Sequence, residues 1–149
     1  MSRPLKIAIA GLGTVGAGVL RLLWENGDLV ARRCGRPVVV TAVSARARDR
    51  DRGVDLSEAR WFDDAVQMAR EADADVVVEL IGGADGVARS LCEAAIAAGR
   101  HVVTANKALL AHHGTALARA AESAGVSLAY EAAAAGGIPI VKADRTSVG

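Results

Sequence analysis

Short β-branched runs alternate along this chain with helix-length stretches rich in alanine and leucine, and that alternation leaves few architectures open. Leu5–Ala10, Val38–Ser44, 75–80, His101–Thr104 and 126–130 read as strands. Helices are predicted over 14–26, from a cap at Asp63 or Asp64 to Ala72, over 85–98, and from after the fourth strand to Ala124. Gly27, Gly99 and Gly125 are their expected stops. The connection 28–37 is polar, and 45–60, where arginine alternates with aspartate, reads as an exposed loop. Strands separated by helices need crossover connections, and crossovers make a parallel sheet. Val76-Val77-Val78 is apolar at successive positions, as a strand buried on both faces must be. The predicted fold is α/β: a doubly wound parallel sheet with helices on both faces, in one domain over 1–142.

Composition excludes several classes of function. A chain of 149 residues that is 52% hydrophobic buries too much apolar surface to stay disordered. A net charge of +1 offers no broad basic field for nucleic acid. No apolar run approaches the roughly 20 residues of a membrane helix. The start, Met-Ser-Arg-Pro-Leu-Lys, meets a glycine loop too soon for a signal peptide. Cys34 and Cys92 lie far apart with no CxxC pattern. These features predict a reduced, cytoplasmic protein without a cysteine-bound metal, acting on a small molecule rather than on nucleic acid or membrane.

Gly11-Leu12-Gly13-Thr14-Val15-Gly16 is a GxGxxG that closes the first strand and opens a helix. Its glycines serve a tight turn, backbone approach to a pyrophosphate, and close helix packing, while the helix N-terminus offers free N–H groups to phosphate. Glycine turns of this kind also occur for purely structural reasons. The position after the first strand of a Rossmann-type sheet favours a dinucleotide. No Lys-Ser/Thr follows the loop, which excludes a Walker-type site. The second strand ends in Ser44-Ala45-Arg46, with no carboxylate to select the ribose hydroxyls of NAD. Arg46 can fork onto a 2′-phosphate, so NADP(H) is the expected cofactor and NAD(H) the alternative. Arg48, Arg50 and Arg52 read as solvated, a reading also open to Arg46.

Ligands in open α/β sheets bind beyond the carboxyl ends of the strands. Glu79-Leu80-Ile81-Gly82-Gly83 closes the third predicted strand; Glu79 could hydrogen-bond in the crevice, cap a helix or pair with an arginine. Thr104-Ala105-Asn106-Lys107 follows the fourth. A lysine in the first turn of a helix is opposed by the helix dipole, so Lys107 makes better sense facing an anion, a carbonyl or a cofactor than extending into water. Asn106 is a helix cap or a ribose contact. His112 and His113 lack partners at metal-ligand spacing and read as surface residues. In 130–140, Glu131 and backbone carbonyls of a small-residue loop could hold a hard cation, against the alternative of a plain loop.

Taken in order, GLGTVG at 11–16, VVVELIGG at 76–83, HVVTANKALLA at 101–111 and YEAAAAGGIPI at 130–140 resemble the nucleotide-binding half of homoserine dehydrogenases. The resemblance covers 5–142. It implies reversible reduction of aspartate 4-semialdehyde to homoserine with NAD(P)H, in the branch towards threonine and methionine. It implies that Leu12, Gly13, Thr14 and Val15 line the pyrophosphate, between Gly11 and Gly16, and that Arg46 contacts the 2′-phosphate. Thr104 and Lys107 would lie at the cofactor, with Lys107 near nicotinamide and substrate. Glu131 and the carbonyls of Ala134, Gly136 and Ile138 match the family's sodium site. Ala135 departs from the usual residues of that loop, and 143–149 leaves the family pattern where a substrate and dimerisation domain would begin. The family's proton-transfer residues belong to that domain, so the expectation is a cofactor-binding portion whose catalytic residues lie elsewhere, with homodimers formed by full-length members. Two other readings are a sugar or inositol dehydrogenase, opposed by the Thr-Ala-Asn before Lys107, and a non-catalytic NADP-binding module or remnant.

Overall fold

The computed structural model describes residues 3–11, 32, 35–45, 59–83 and 86–130. They contain six strands and three helices: β1 (Leu5–Ala10), β2 (Val38–Ser44), β3 (Arg60–Phe62), α1 (Ala65–Glu71), β4 (Val76–Glu79), α2 (Val87–Ala97), β5 (His101–Thr104), α3 (Lys107–Ala124) and β6 (Leu128–Tyr130). All strand pairs are parallel, in the order β3-β2-β1-β4-β5-β6. That order is the doubly wound arrangement in which the chain reverses direction between β1 and β4. The steps from β3 to β4, β5 and β6 all move across the sheet in one direction. Right-handed crossovers therefore put α1, α2 and α3 on the same face.

Local chemistry sets the element ends. Asp64 caps α1 by accepting from the N–H groups of Val66 (2.9 Å) and Gln67 (3.3 Å). Gly125 adopts φ +71° and stops α3, as its position predicts. The Arg100 guanidinium donates to the carbonyls of Ala69 (2.7 Å), Arg70 (3.2 Å) and Ala74, satisfying the end of α1 and the turn after it. The reading of 45–60 as a loop needs one correction. Arg60 begins β3, whose three residues pair with Ala42, Val43 and Ser44. So short a strand shows no periodicity, and its first residue is charged; the Arg60 guanidinium lies 4.3 Å from the centre of the Phe62 ring. The predicted helix over 14–26 and the tail 143–149 lie outside the described residues.

Two apolar clusters flank the sheet. Ala8, Ala10, Phe62, Met68, Leu91, Ile96, Leu109 and Leu117 join the helical face, while Ile7, Ile9, Val43, Val78 and Val103 form the other. Cys92 belongs to the first, and burial, reinforced by the Glu79 charge, pushes its thiol up to about 12, so it remains protonated and unreactive. Charge gathers at the amino end of the sheet. Arg3 pairs with Asp75 at 2.7 Å and Lys6 with Asp73 at 2.8 Å. The Lys6 ammonium holds the Asp73 carboxyl below its usual range.

Gly11, just beyond β1, makes a tight junction with the turn after β4. It has φ +96°, and a Cβ there would sit 2.8 Å from the carbonyl carbon and oxygen of Leu80 and 3.0 Å from the nitrogen of Ile81. The Gly11 N–H donates to Ser44 O and the Leu80 N–H to Ala10 O, both at 2.8 Å, so neither backbone can retreat without breaking a bond. Gly11→Ala should cost about 3 kcal/mol or more, combining overpacking against backbone with unfavourable φ. Gly125→Ala, with positive φ but nothing within 4 Å, should cost only about 1 kcal/mol. Denaturant unfolding of the two variants checks the difference; equal losses would refute the contact.

Candidate functional site

The carboxyl ends of β1, β4 and β5 lie side by side, with the reversal of strand order between the first two. This is where an open α/β sheet leaves a crevice for ligand. Gly11 packs directly against Leu80 and Ile81 there, and the chain continues through Gly82 at φ +91° and Gly83 at φ +85°. A Cβ on Gly82 would meet nothing within 4 Å, and Ile81 is 41% exposed, so this loop borders open space.

Beneath the loop is a hydrogen-bonded ring of buried polar groups. Glu79, the last residue of β4, is fully buried. Its Oε2 accepts from the N–H groups of Ile81 (2.7 Å) and Gly82 (3.0 Å), and its Oε1 accepts from the Thr104 hydroxyl at 2.5 Å. Thr104 Oγ1 accepts in turn from the Asn106 N–H at 3.0 Å. The Asn106 side chain donates through Nδ2 to Gly83 O (2.6 Å) and accepts through Oδ1 from the Leu109 N–H (2.9 Å), which caps α3. The two bonds together fix which end of the amide is oxygen. Of the uses open to Glu79 from sequence, hydrogen bonding within the crevice walls is the one observed, and Asn106 is a helix cap.

Thr104 and Lys107, both expected at the cofactor, occupy different environments. Thr104 is fully buried, and its hydroxyl is committed to Glu79 and Asn106. Lys107 opens α3, is exposed, and has no acidic residue in the first turn beside it. Its charge therefore stands at the positive end of an 18-residue helix, beside the crevice. Gly11, Thr104 and Lys107 are thus gathered at one end of the sheet. Leu12, Gly13, Thr14, Val15, Gly16 and Arg46 lie outside the described residues, as do Glu131, Ala134, Gly136 and Ile138 of the expected sodium site. His112 and His113 sit on α3, their rings 6.2 Å apart. Among the described residues, no group of three or more His, Cys, Asp and Glu could hold a metal ion, and no helix is long and apolar enough to cross a membrane.

No local pattern in the sequence announces the ring, because its bonds join residues 23 and 25 positions apart. The available signal was a glutamate at the end of an otherwise apolar strand, directly before two glycines.

Residues 11–131 match the family described as homoserine dehydrogenase, NAD-binding domain. The homoserine dehydrogenase of Pseudomonas aeruginosa is 46% identical over 145 residues, an alignment that takes in 96% of this chain and 32% of the relative. The crystal structure of S. aureus homoserine dehydrogenase at pH 8.5 superimposes with a TM-score of 0.79 and 32% identity, covering 89% of this chain and 33% of that one. The homoserine dehydrogenase structure from Thiobacillus denitrificans gives 0.77 and 38%, covering 88% and 30%. The chain spans about a third of the length of the curated relatives it matches. On the family match, which takes in the crevice from Gly11 through Lys107, this chain belongs to the homoserine dehydrogenase family, in the part that forms its NAD-binding domain.

Proposed function

We propose that this chain is the cofactor-holding part of an enzyme that interconverts L-homoserine and L-aspartate 4-semialdehyde with NADP(H). The observation that carries the reading is the Gly11 turn, pressed without room for a Cβ against Leu80 and Ile81 at the strand-order reversal. A dinucleotide would lie across the strand ends that this junction brings level, its pyrophosphate at Gly11–Gly16 and its two nucleoside halves over β1–β3 and β4–β6. When bound, the nicotinamide supplies the hydride. The protein's own part is to bind and orient. Lys107 offers a cation beside the nicotinamide half for an anionic or carbonyl group of cofactor or substrate. Thr104 supports that half from below.

Arg46, two residues beyond the end of β2, would fork onto the 2′-phosphate that distinguishes NADP(H) from NAD(H). Glu131, with the carbonyls of Ala134, Gly136 and Ile138, would hold sodium through oxygen ligands. The partners are then a small-molecule substrate and, in full-length members, a second subunit. The setting is the cytoplasm, where nicotinamide-dependent biosynthesis runs.

Titration of the 149-residue chain should show tighter binding of NADPH than of NADH. Arg46→Glu should weaken NADPH by roughly 10- to 100-fold, the value of a charge-assisted bidentate contact, and leave NADH unweakened. Equal affinities, unchanged by the substitution, would contradict the Arg46 assignment. These residues alone should reduce NADP with homoserine at least about 1,000-fold more slowly than a full-length relative, because substrate positioning is worth several kcal/mol. A rate near that of the relative would place the substrate-positioning groups within this chain.

A further inference from the structure

We propose that Glu79 is a positioning residue: through the ring with Thr104 and Asn106 it locks the loop after β4 to the start of α3, and so fixes the floor of the nicotinamide half of the crevice. The inference rests on the cofactor reading and adds a role for a residue that faces the protein rather than the ligand.

A fully buried carboxylate is a poor choice for stability, since an apolar side chain of similar volume would avoid its desolvation. Its value lies in what only a carboxylate can do at this position. It accepts at both oxygens at once, from two N–H groups of its own loop and from a hydroxyl on the neighbouring strand. Glutamine would turn an NH₂ towards either the N–H donors of Ile81 and Gly82 or the Thr104 hydroxyl. With the carboxylate in place every proton has a fixed direction. Thr104 donates to Glu79 and is thereby left to accept from Asn106, whose Nδ2 returns to Gly83 O. The ring therefore closes on the glycine loop it started from.

What the ring holds is the ligand-facing geometry. Gly82 and Gly83, both at positive φ, carry no side chains to pack the loop in place, and open space lies beyond Gly82. Backbone of this kind keeps one conformation only when its surroundings over-determine it. Asn106 sits directly before Lys107, so the same ring sets where the first turn of α3, and its exposed lysine, stand relative to that loop.

The test compares two ligands on the 149-residue chain by calorimetry: NADPH, which spans both halves of the crevice, and adenosine 2′,5′-bisphosphate, which carries only the adenine half. Glu79→Gln and Thr104→Val should each weaken NADPH by about 10-fold or more, the value of a lost hydrogen bond to a charged group, while moving adenosine bisphosphate less than about 2-fold. Thr104→Ser, which keeps the hydroxyl, should restore NADPH binding to within about 3-fold of the parent. Should Glu79→Gln fail to fold in a thermal melt, the near-isosteric Thr104→Val and its serine rescue carry the comparison. Equal weakening of both ligands, unchanged NADPH binding in folded variants, or a serine variant as weak as the valine would each overturn the positioning role while leaving the cofactor reading standing. A parent chain that binds neither ligand would overturn the cofactor reading, and this inference with it.

Discussion

A Cβ on Gly11 would stand 2.8 Å from the carbonyl of Leu80, and much of the crevice geometry follows from that contact. It brings the turn after β1 directly against the turn after β4, so the two strands between which the sheet reverses direction end at the same level. A larger first residue would push these turns apart and break the Gly11–Ser44 and Leu80–Ala10 bonds that hold them. The requirement for glycine at this point is thus steric before it is functional.

The two ends of the sheet divide their roles. At the amino end, Arg3, Lys6, Asp73 and Asp75 form partly exposed ion pairs of the kind that add little stability. At the carboxyl end Glu79, Thr104 and Asn106 are buried and satisfy one another and the surrounding backbone. Buried networks of this sort are worth having only when complete, and among the described residues no buried side-chain nitrogen or oxygen lacks a partner. This buried network lies at the end of the sheet proposed above to hold the cofactor. Lys107 stands at its edge, exposed.

Elements whose signals are local were legible in the sequence. Asp64 and Gly125 mark helix ends because a cap acts on the residues beside it, and Val76-Val77-Val78 announces a doubly covered strand without reference to anything distant. Gly11 could be placed on a turn after β1 for the same reason. β3 escaped because three residues carry no period, and Arg100 escaped because its carbonyl partners lie 26 to 31 residues earlier. Thr104 illustrates a subtler limit. Its position at a strand end pointed to ligand contact, but its hydroxyl is taken by Glu79 from the neighbouring strand, a pairing visible only once the sheet is assembled.

A dinucleotide lying across the carboxyl ends of β1, β4 and β5, as proposed above, would perturb the backbone there and leave the opposite end of the sheet untouched. Backbone amide shift mapping by NMR as NADPH is added tests this placement most directly. The largest changes are expected at Gly11, Ile81–Gly83 and Asn106–Ala108, with Lys6, Asp73 and Asp75 at the far end of the sheet unmoved. Changes concentrated at that amino end, or along the helical face around Arg89 and Ala120, would contradict it.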